Sequence, residues 1–347
     1  MKRIRYLSFT ILLMLFCFSC NQQNQTISRV AVYDPNDPSL LQSSVGGPIE
    51  SSVEINYDEI FDTKIGIALG GGGAKAAAEI GALKVMEEAG IKPRYIAGSS
   101  MGAVVGGLYA AGYTANELDS LFLTEDWLSL FEKREIGLIS NQFRTVFGLV
   151  RGDVFEEKLS SALLKKGCIT MEDTKYATGI TFACTATNIV NEEDIEDVVL
   201  KDDHINLAKA IRASMTYPAP VVGYRPVSID GMLLVDGGML NNLPVDVIRD
   251  LGAEHLIAVD LEKDRKEERL MSLNGLLNLT WLTNWLVHRH GNNKRNQNIE
   301  MAHIVIQPPL SGYSILDFTQ QELTEMMELG EDEARTYHWK SLLELKQ

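Results

Sequence analysis

Histidine is scarce in this chain, with six residues in 347, and that scarcity bears on every nucleophile the chain offers. No His-Glu-x-x-His or Cys-x-x-Cys spacing occurs, so metal chemistry has no motif to rest on. Cysteine is just as thin. Of the four present, Cys17 and Cys20 fall within the first 20 residues, leaving Cys168 and Cys184. Two thiols in so long a remainder exclude a disulfide framework. Cys184 lies inside the strand-like "ITFACTAT" and reads as a small buried hydrophobe. Positive charge is short as well: 32 Lys and Arg stand against 47 Asp and Glu, a formal net charge of −15. A nucleic-acid partner needs a basic footprint for its phosphates, and this acidity argues against one.

The chain also lacks a comfortable membrane span at its start, since the apolar run Phe9–Phe18 is shorter than the ~20 residues a spanning helix needs. It follows Lys2, Arg3 and Arg5 and ends at Ser19-Cys20, which is the layout of a targeting segment. The end "FCFSC" resembles the lipobox of bacterial lipoproteins, with Cys17 where leucine is usual. The expectation is a signal peptide over 1–19, a lipidated Cys20, and a polar tether over 20–60 that holds a domain at a membrane. A plain secretory signal cleaved nearby is the alternative. Localisation would then be that of an exported, membrane-anchored lipoprotein.

What is present is an ordinary globular balance, 45% hydrophobic and 23% charged, enough for a sizeable core. From Lys64 onward apolar strands alternate with helical patterns. Lys64–Leu69 reads as a strand, Ala74–Ala89 as a helix, "PRYIAGSS" as a second strand and Ala103–Ala111 as the next helix. Further strands are expected at Gly179–Thr185, Met232–Val235, His255–Asp260 and His303–Gln307. This order implies an α/β fold, three layers α/β/α with a central, mostly parallel sheet covered on both faces. The expected layout is a main domain over 61–265, an amphipathic or lid segment over 266–300, and a strand and helix over 301–347 that complete the domain.

Two turns in this pattern carry chemistry. "LGGGGAKAAAEIG" ends the first strand and opens the first helix, so its amides point at whatever sits there. A P-loop would need Gly-Lys-Ser/Thr, and Ala74 and Ala76 flank Lys75 instead. Gly71–Ala76 does match a relaxed dinucleotide fingerprint, but the second strand ends in Gly98-Ser99-Ser100 rather than the acid that would hold a ribose. An oxyanion hole is the third reading. The second turn, Gly98-Ser99-Ser100-Met101-Gly102, is a Gly-x-Ser-x-Gly elbow between strand and helix, with Ser100 central.

A base for that serine is not found among the histidines. His255 sits in the apolar "HLIAVD", His288 and His290 in the basic "VHRHGNNKRN", His303 at a strand start and His338 in a C-terminal helix. Asp236, in "LLVDGGMLNNLPVDV", follows a strand and precedes glycines, which puts it at the same sheet edge as the elbow. It reads equally as a turn-capping Asx residue or as a base whose pKa is raised by burial.

Taken together, "GGGAKA" (71–76), "GSSMG" (98–102) and "DGG" (236–238) resemble the patatin-like phospholipase family. So do "AIRASMTYPAPV" (210–221), "GGMLNNLPVDVIRDLGAEHLIAVDL" (237–261) and "AHIVIQPPLSGYSILDFTQ" (302–320), and the resemblance runs from about Lys64 to Gly330. It implies the patatin-like acyl hydrolase fold and a Ser–Asp dyad without histidine. Ser100 would be the nucleophile, Asp236 the base, and Gly71, Gly72 and Gly73 the oxyanion loop. Gly98, Gly102, Gly237 and Gly238 would support the motifs, and Lys75 occupies a slot where arginine is commoner. Ala76 replaces the loop's usual last glycine, which adds a Cβ at a crowded turn, and Glu79 stands where many members have histidine.

The implied substrate is a lipid or phospholipid ester, with no metal or cofactor required. Leu273, Leu277, Trp281 and Trp285 recur four apart, so on a helix they would form one face suited to a membrane interface, a lid or a core contact. The competing readings are a lipid-binding pseudoenzyme, a short-chain esterase or thioesterase, and a nucleotide-dependent oxidoreductase.

Overall fold

The computed structural model describes residues 64–127, 152–190, 195–217, 225–262 and 293–339. All of them belong to one compact unit, Asn56–Gln347. The expected signal and tether, and the face carrying Leu273, Leu277, Trp281 and Trp285, lie outside the described residues.

The strands are β1 (Ile65–Leu69), β2 (Tyr95–Gly98), β3 (Thr181–Asn188), β4 (Glu196–Leu200), β5 (Val227–Ile229), β6 (Met232–Asp236), β7 (His255–Val259) and β8 (Ile304–Ile306). They form one sheet, linked in the order β5-β6-β3-β2-β1-β7-β8, with β4 also paired to β3. Neighbours from β3 through β8 run parallel, while β4 and β6 pair with β3 in the antiparallel sense. The helices are α1 (Ala77–Glu88), α2 (Met101–Ala110), α3 (Ala115–Thr124), α4 (Asp153–Lys165), α5 (Met171–Thr178), α6 (Leu207–Ser214), α7 (Val245–Asp250) and α8 (Gln320–Arg335). A further helical run covers 293–301.

Period-two alternation divides the sheet's residues between two cores. Ile65, Ile67 and Leu69 point to a large core shared with α1, α2, α3, α4, α6 and α8. Ala68 points to a smaller one, where α7 packs. In that second core Ala183, Ala97, Ala68 and Ala258 stand in register across β3, β2, β1 and β7. Four methyl-sized side chains in one row let α7 lie close to the sheet. The result is the expected three layers, with one face far more heavily covered.

On the thick face α1 and α8 cross with almost no space between backbones. A Cβ built on Gly81 would stand 2.0 Å from the Met327 carbonyl, and one on Gly330 would stand 1.9 Å from that of Ala78. α8 starts at a capping box, in which Thr319 and Glu322 satisfy each other's backbone amides.

Three details differ from the sequence expectation. The first helix is preceded by a 3-10 turn, Gly73–Ala76, because the glycine loop is still tightening before the chain can enter α geometry. β4 and β5 were not anticipated; they are short edge strands, and "EDVVL" alternates too briefly to stand out. The sheet is mostly parallel, as expected, and the antiparallel β4 and β6 that join β3 make it mixed at that end. His338 lies beyond the end of α8 at Arg335 rather than inside a helix.

The crossing gives a direct test. Gly330→Ala is expected to destabilise the fold by about 1–3 kcal/mol or more through overpacking against backbone. Thermal or urea unfolding would read this, and an unchanged midpoint would mean that the two helices separate freely.

Candidate active site

The register of β3 places the site. Cys184 pairs with Gly98 of β2 and with Leu200 of β4, so β2 and β4 lie on opposite edges of β3. Ala186 pairs with Val198 of β4 and with Asp236 of β6, so β6 also lies opposite β4. β2 and β6 therefore share one edge of β3 and run toward each other. Their carboxyl ends, Gly98 and Asp236, stop two residues apart along it.

Beyond Gly98 the chain turns sharply. Ser100 has φ 51° and ψ −125°, a region a serine occupies only under strain, of order 1–3 kcal/mol. A Cβ on Gly98 would reach 2.4 Å from the Gly102 carbonyl, and one on Gly102 would reach 2.6 Å from that of Gly70. Small residues on both sides are thus obligatory for this elbow. Ser99 is fully buried and donates its amide to Leu69, whereas Ser100 keeps some exposure. The choice between the two serines falls on Ser100.

Ser100 Oγ donates to Asp236 Oδ2 at 2.7 Å. The other carboxylate oxygen, Oδ1, accepts from the Gly238 amide at 2.8 Å. One oxygen thus caps the turn while the other accepts from the serine, so the two readings of Asp236 do not compete for the same atom. Thr187 Oγ donates to the Asp236 carbonyl at 2.9 Å, which steadies its backbone. Asp236 is only 4% exposed, and burial raises its pKa to about 6, against the lowering effects of its bonds from Ser100 and Gly238. Such a carboxylate is ionised at neutral pH and still basic enough to take a serine proton.

The glycine loop faces the elbow. Gly71 approaches so closely that an added Cβ would stand 2.8 Å from Ser100 Cβ and 2.3 Å from Asn242 Oδ1. Gly73 has φ +57° and packs against the Ile315 carbonyl, so it too must be glycine. Gly71 donates its own amide to the Asn242 carbonyl at 3.1 Å, and Asn242 Nδ2 donates back to the Gly71 carbonyl at 2.9 Å. Gly71 is therefore part of the loop but not one of its uncommitted donors. The amides of Gly72 and Gly73 donate to no backbone carbonyl among the described residues. Met101, first residue of α2, presents another helix-start amide beside Ser100. Ala76, expected to crowd the turn, sits at φ −61° and ψ −13°, ordinary helical backbone where glycine is not needed. Lys75 lies half-buried in the 3-10 turn, with its amide on the Gly72 carbonyl. Gly237 and Gly238 sit where a Cβ would meet Thr185 and Asn242, at 2.2 and 2.4 Å.

Glu79 is fully buried in the first turn of α1, and neither carboxylate oxygen has a hydrogen-bond partner among the described residues. Burial holds its pKa well above the usual carboxylate range, opposed by the nearby Gly70 amide. His255 opens β7 opposite Ile65, at the sheet edge away from the dyad, and His303 Nδ1 accepts from Leu256 there. His288 and His290 lie outside the described residues. Residues that the motifs did not single out are Asn242, Ser214, whose Oγ accepts from the Ser100 amide at 3.0 Å, and Asn298. Asn298, buried, bonds Asn241, the Leu243 carbonyl and Asp246, and so braces the turn after Asp236.

A family model described as patatin-like phospholipase matches residues 67–249. The uncharacterized protein YqhO of Bacillus subtilis is 29% identical over 279 residues, covering 75% of this chain and 93% of that one. The neuropathy target esterase sws of Drosophila melanogaster is 31% identical over 207 residues, covering 57% of this chain but only 13% of that much longer protein. The solved structure of the type III effector protein ExoU aligns with a TM-score of 0.43 at 15% identity, over 79% of this chain and 53% of that one.

The buried carboxylate makes a stability prediction whose sign can be worked out. With a folded pKa of about 6 and an unfolded one near 3.9, the native state binds the extra proton between those values. Stability from this group is therefore fully present below about pH 4 and lost as pH rises through about 6. Asp236→Asn keeps an acceptor for Gly238 and removes the titration. It is expected to be more stable than the parent by up to about 3 kcal/mol at pH 7 and near parity at pH 4, measured by urea unfolding.

Proposed function

For a chain that belongs to the patatin-like phospholipase family, we propose a serine acyl hydrolase that cleaves carboxylic esters of lipids or phospholipids through Ser100 and Asp236. The observation that carries this reading is the 2.7 Å bond from Ser100 Oγ to a buried carboxylate whose pKa is raised to about 6. Asp236 Oδ2 takes the Ser100 proton as Oγ attacks the ester carbonyl. The developing oxyanion lies against the loop, where the Gly72 and Gly73 amides, with Met101 opposite, are the available donors. Each such donor is worth about 3 kcal/mol in the transition state. Asp236 passes the proton to the departing alcohol, leaving an acyl-Ser100, and then draws a proton from the water that releases the acid. No step calls on a histidine.

Phospholipase A or lysophospholipase specificity is favoured by the family and by the expected setting. Lipid on Cys20 and the 273–287 segment would hold the site at a bilayer of an exported, membrane-anchored protein. A lipid-binding pseudoenzyme is disfavoured because both dyad members are present and in contact.

Fluorophosphonate labelling and ester hydrolysis test this reading. Ser100→Ala is expected to abolish labelling, and Asp236→Asn to lower turnover by about a thousandfold or more. Turnover of the parent should rise with pH through a midpoint near 6, as Asp236 ionises. Phospholipid vesicles should outcompete a short-chain ester. Labelling that persists in Ser100→Ala would sink the nucleophile, and labelled protein with no turnover of any ester would leave the pseudoenzyme.

A further inference from the structure

The segment "RASMTY" (212–217) is not part of the loop, the elbow or the Asp-Gly-Gly turn, yet it touches both members of the dyad. Ser214, the last residue of α6 and fully buried, accepts the Ser100 amide on Oγ at 3.0 Å. Two residues later the Thr216 carbonyl accepts the Asp236 amide at 2.9 Å. The segment is itself anchored. Thr216 Oγ donates to the Arg212 carbonyl at 2.8 Å, and the Arg212 guanidinium pairs with Glu156 of α4 at 2.8 Å.

The Ser100 amide is in an awkward place. β2 has already ended at Gly98, so no sheet ladder receives it, and as the cap before α2 it lies outside the helix bonds. At φ 51° it is directed into the protein, where an unpaired N–H is costly. Without an acceptor there, the backbone relaxes toward negative φ, and Oγ swings away from the carboxylate.

We propose that Ser214 is a positioning residue for the acyl-transfer step, holding the strained elbow from behind while Thr216 holds the base. One short turn thereby fixes nucleophile and base independently of the bond between them. The proposal rests on the reading of Ser100 as nucleophile given above. It assigns Ser214 no contact with substrate, so its loss acts on the chemical step and not on substrate binding. It leaves the burial of Asp236, and hence the pH midpoint, in place.

The test is a graded series at position 214 in the full chain, read by the fluorophosphonate labelling rate and by kcat, KM and pH profile on one ester. Ser214→Ala is expected to lower labelling and kcat by about ten- to a hundredfold, the range for an unpaired buried donor. KM should stay within about twofold and the pH midpoint stay near that of the parent. Ser214→Thr keeps the hydroxyl and should recover most of the loss. Ser214→Cys, a weak acceptor of similar size, should fall between Thr and Ala and also serves if the alanine variant does not fold.

Parent-like rates in Ser214→Ala, equal losses in the Ala and Thr variants, or a loss confined to KM would each overturn the proposal. The nucleophile reading fails separately, by labelling that survives Ser100→Ala. If Ser100→Ala abolishes labelling while Ser214→Ala labels at the parent rate, only the present proposal falls.

Discussion

The end-to-end meeting of β2 and β6 along one edge of β3 is the constraint on which the site depends. β3 is eight residues long, enough to carry a parallel partner on its first half and an antiparallel one on its second. Because the two partners approach from opposite directions, their carboxyl ends face each other with only Thr185 opposite the gap. Residues 136 positions apart are thereby brought within one hydrogen bond. A parallel β6 on the same edge would have pointed its far end away, and Asp236 would have had no serine to meet.

That geometry leaves very little room, and the small residues follow from it. Gly71 lies against Ser100, Gly102 against the carbonyl of Gly70, and Gly237 against Thr185. The paired hydrogen bonds between Gly71 and Asn242 tie the glycine loop to the turn that follows the base. Loop, elbow and base turn are thus a single mutually braced unit. Asn298 extends the bracing to the 293–301 helix on the thin face, through its bonds to Asn241, the Leu243 carbonyl and Asp246.

On the proposed reading, burial also explains how the site does without histidine. An exposed aspartate is too weak a base to hold a serine proton, and a fully desolvated one would stay protonated. Asp236 lies between these limits because two hydrogen bonds partly offset the desolvation. Glu79, buried in α1, is held well above the usual carboxylate range by the same desolvation, with only the nearby Gly70 amide opposing it.

The elbow, the glycine loop and Asp-Gly-Gly were legible in the chain because each is a local backbone device with its own residue signature. Glycines mark close approach, and a central serine between them marks a strained turn. Most strands were legible too, since alternation and apolar runs reflect which side of a sheet is buried. Asn242, Ser214 and Thr216 were not legible, because a hydroxyl, an amide or a backbone carbonyl acquires its role from what lies opposite it. The exclusion of Gly71 from the free donors, and the ordinary helical backbone of Ala76, were hidden for the same reason. What the sequence by itself determined is the set of turns and the two candidate groups they carry, Ser100 and Asp236, through short-range sterics and periodicity. What only the tertiary structure decided is their meeting: the antiparallel entry of β6 beside β3, which sets a distance and a burial that no local pattern encodes.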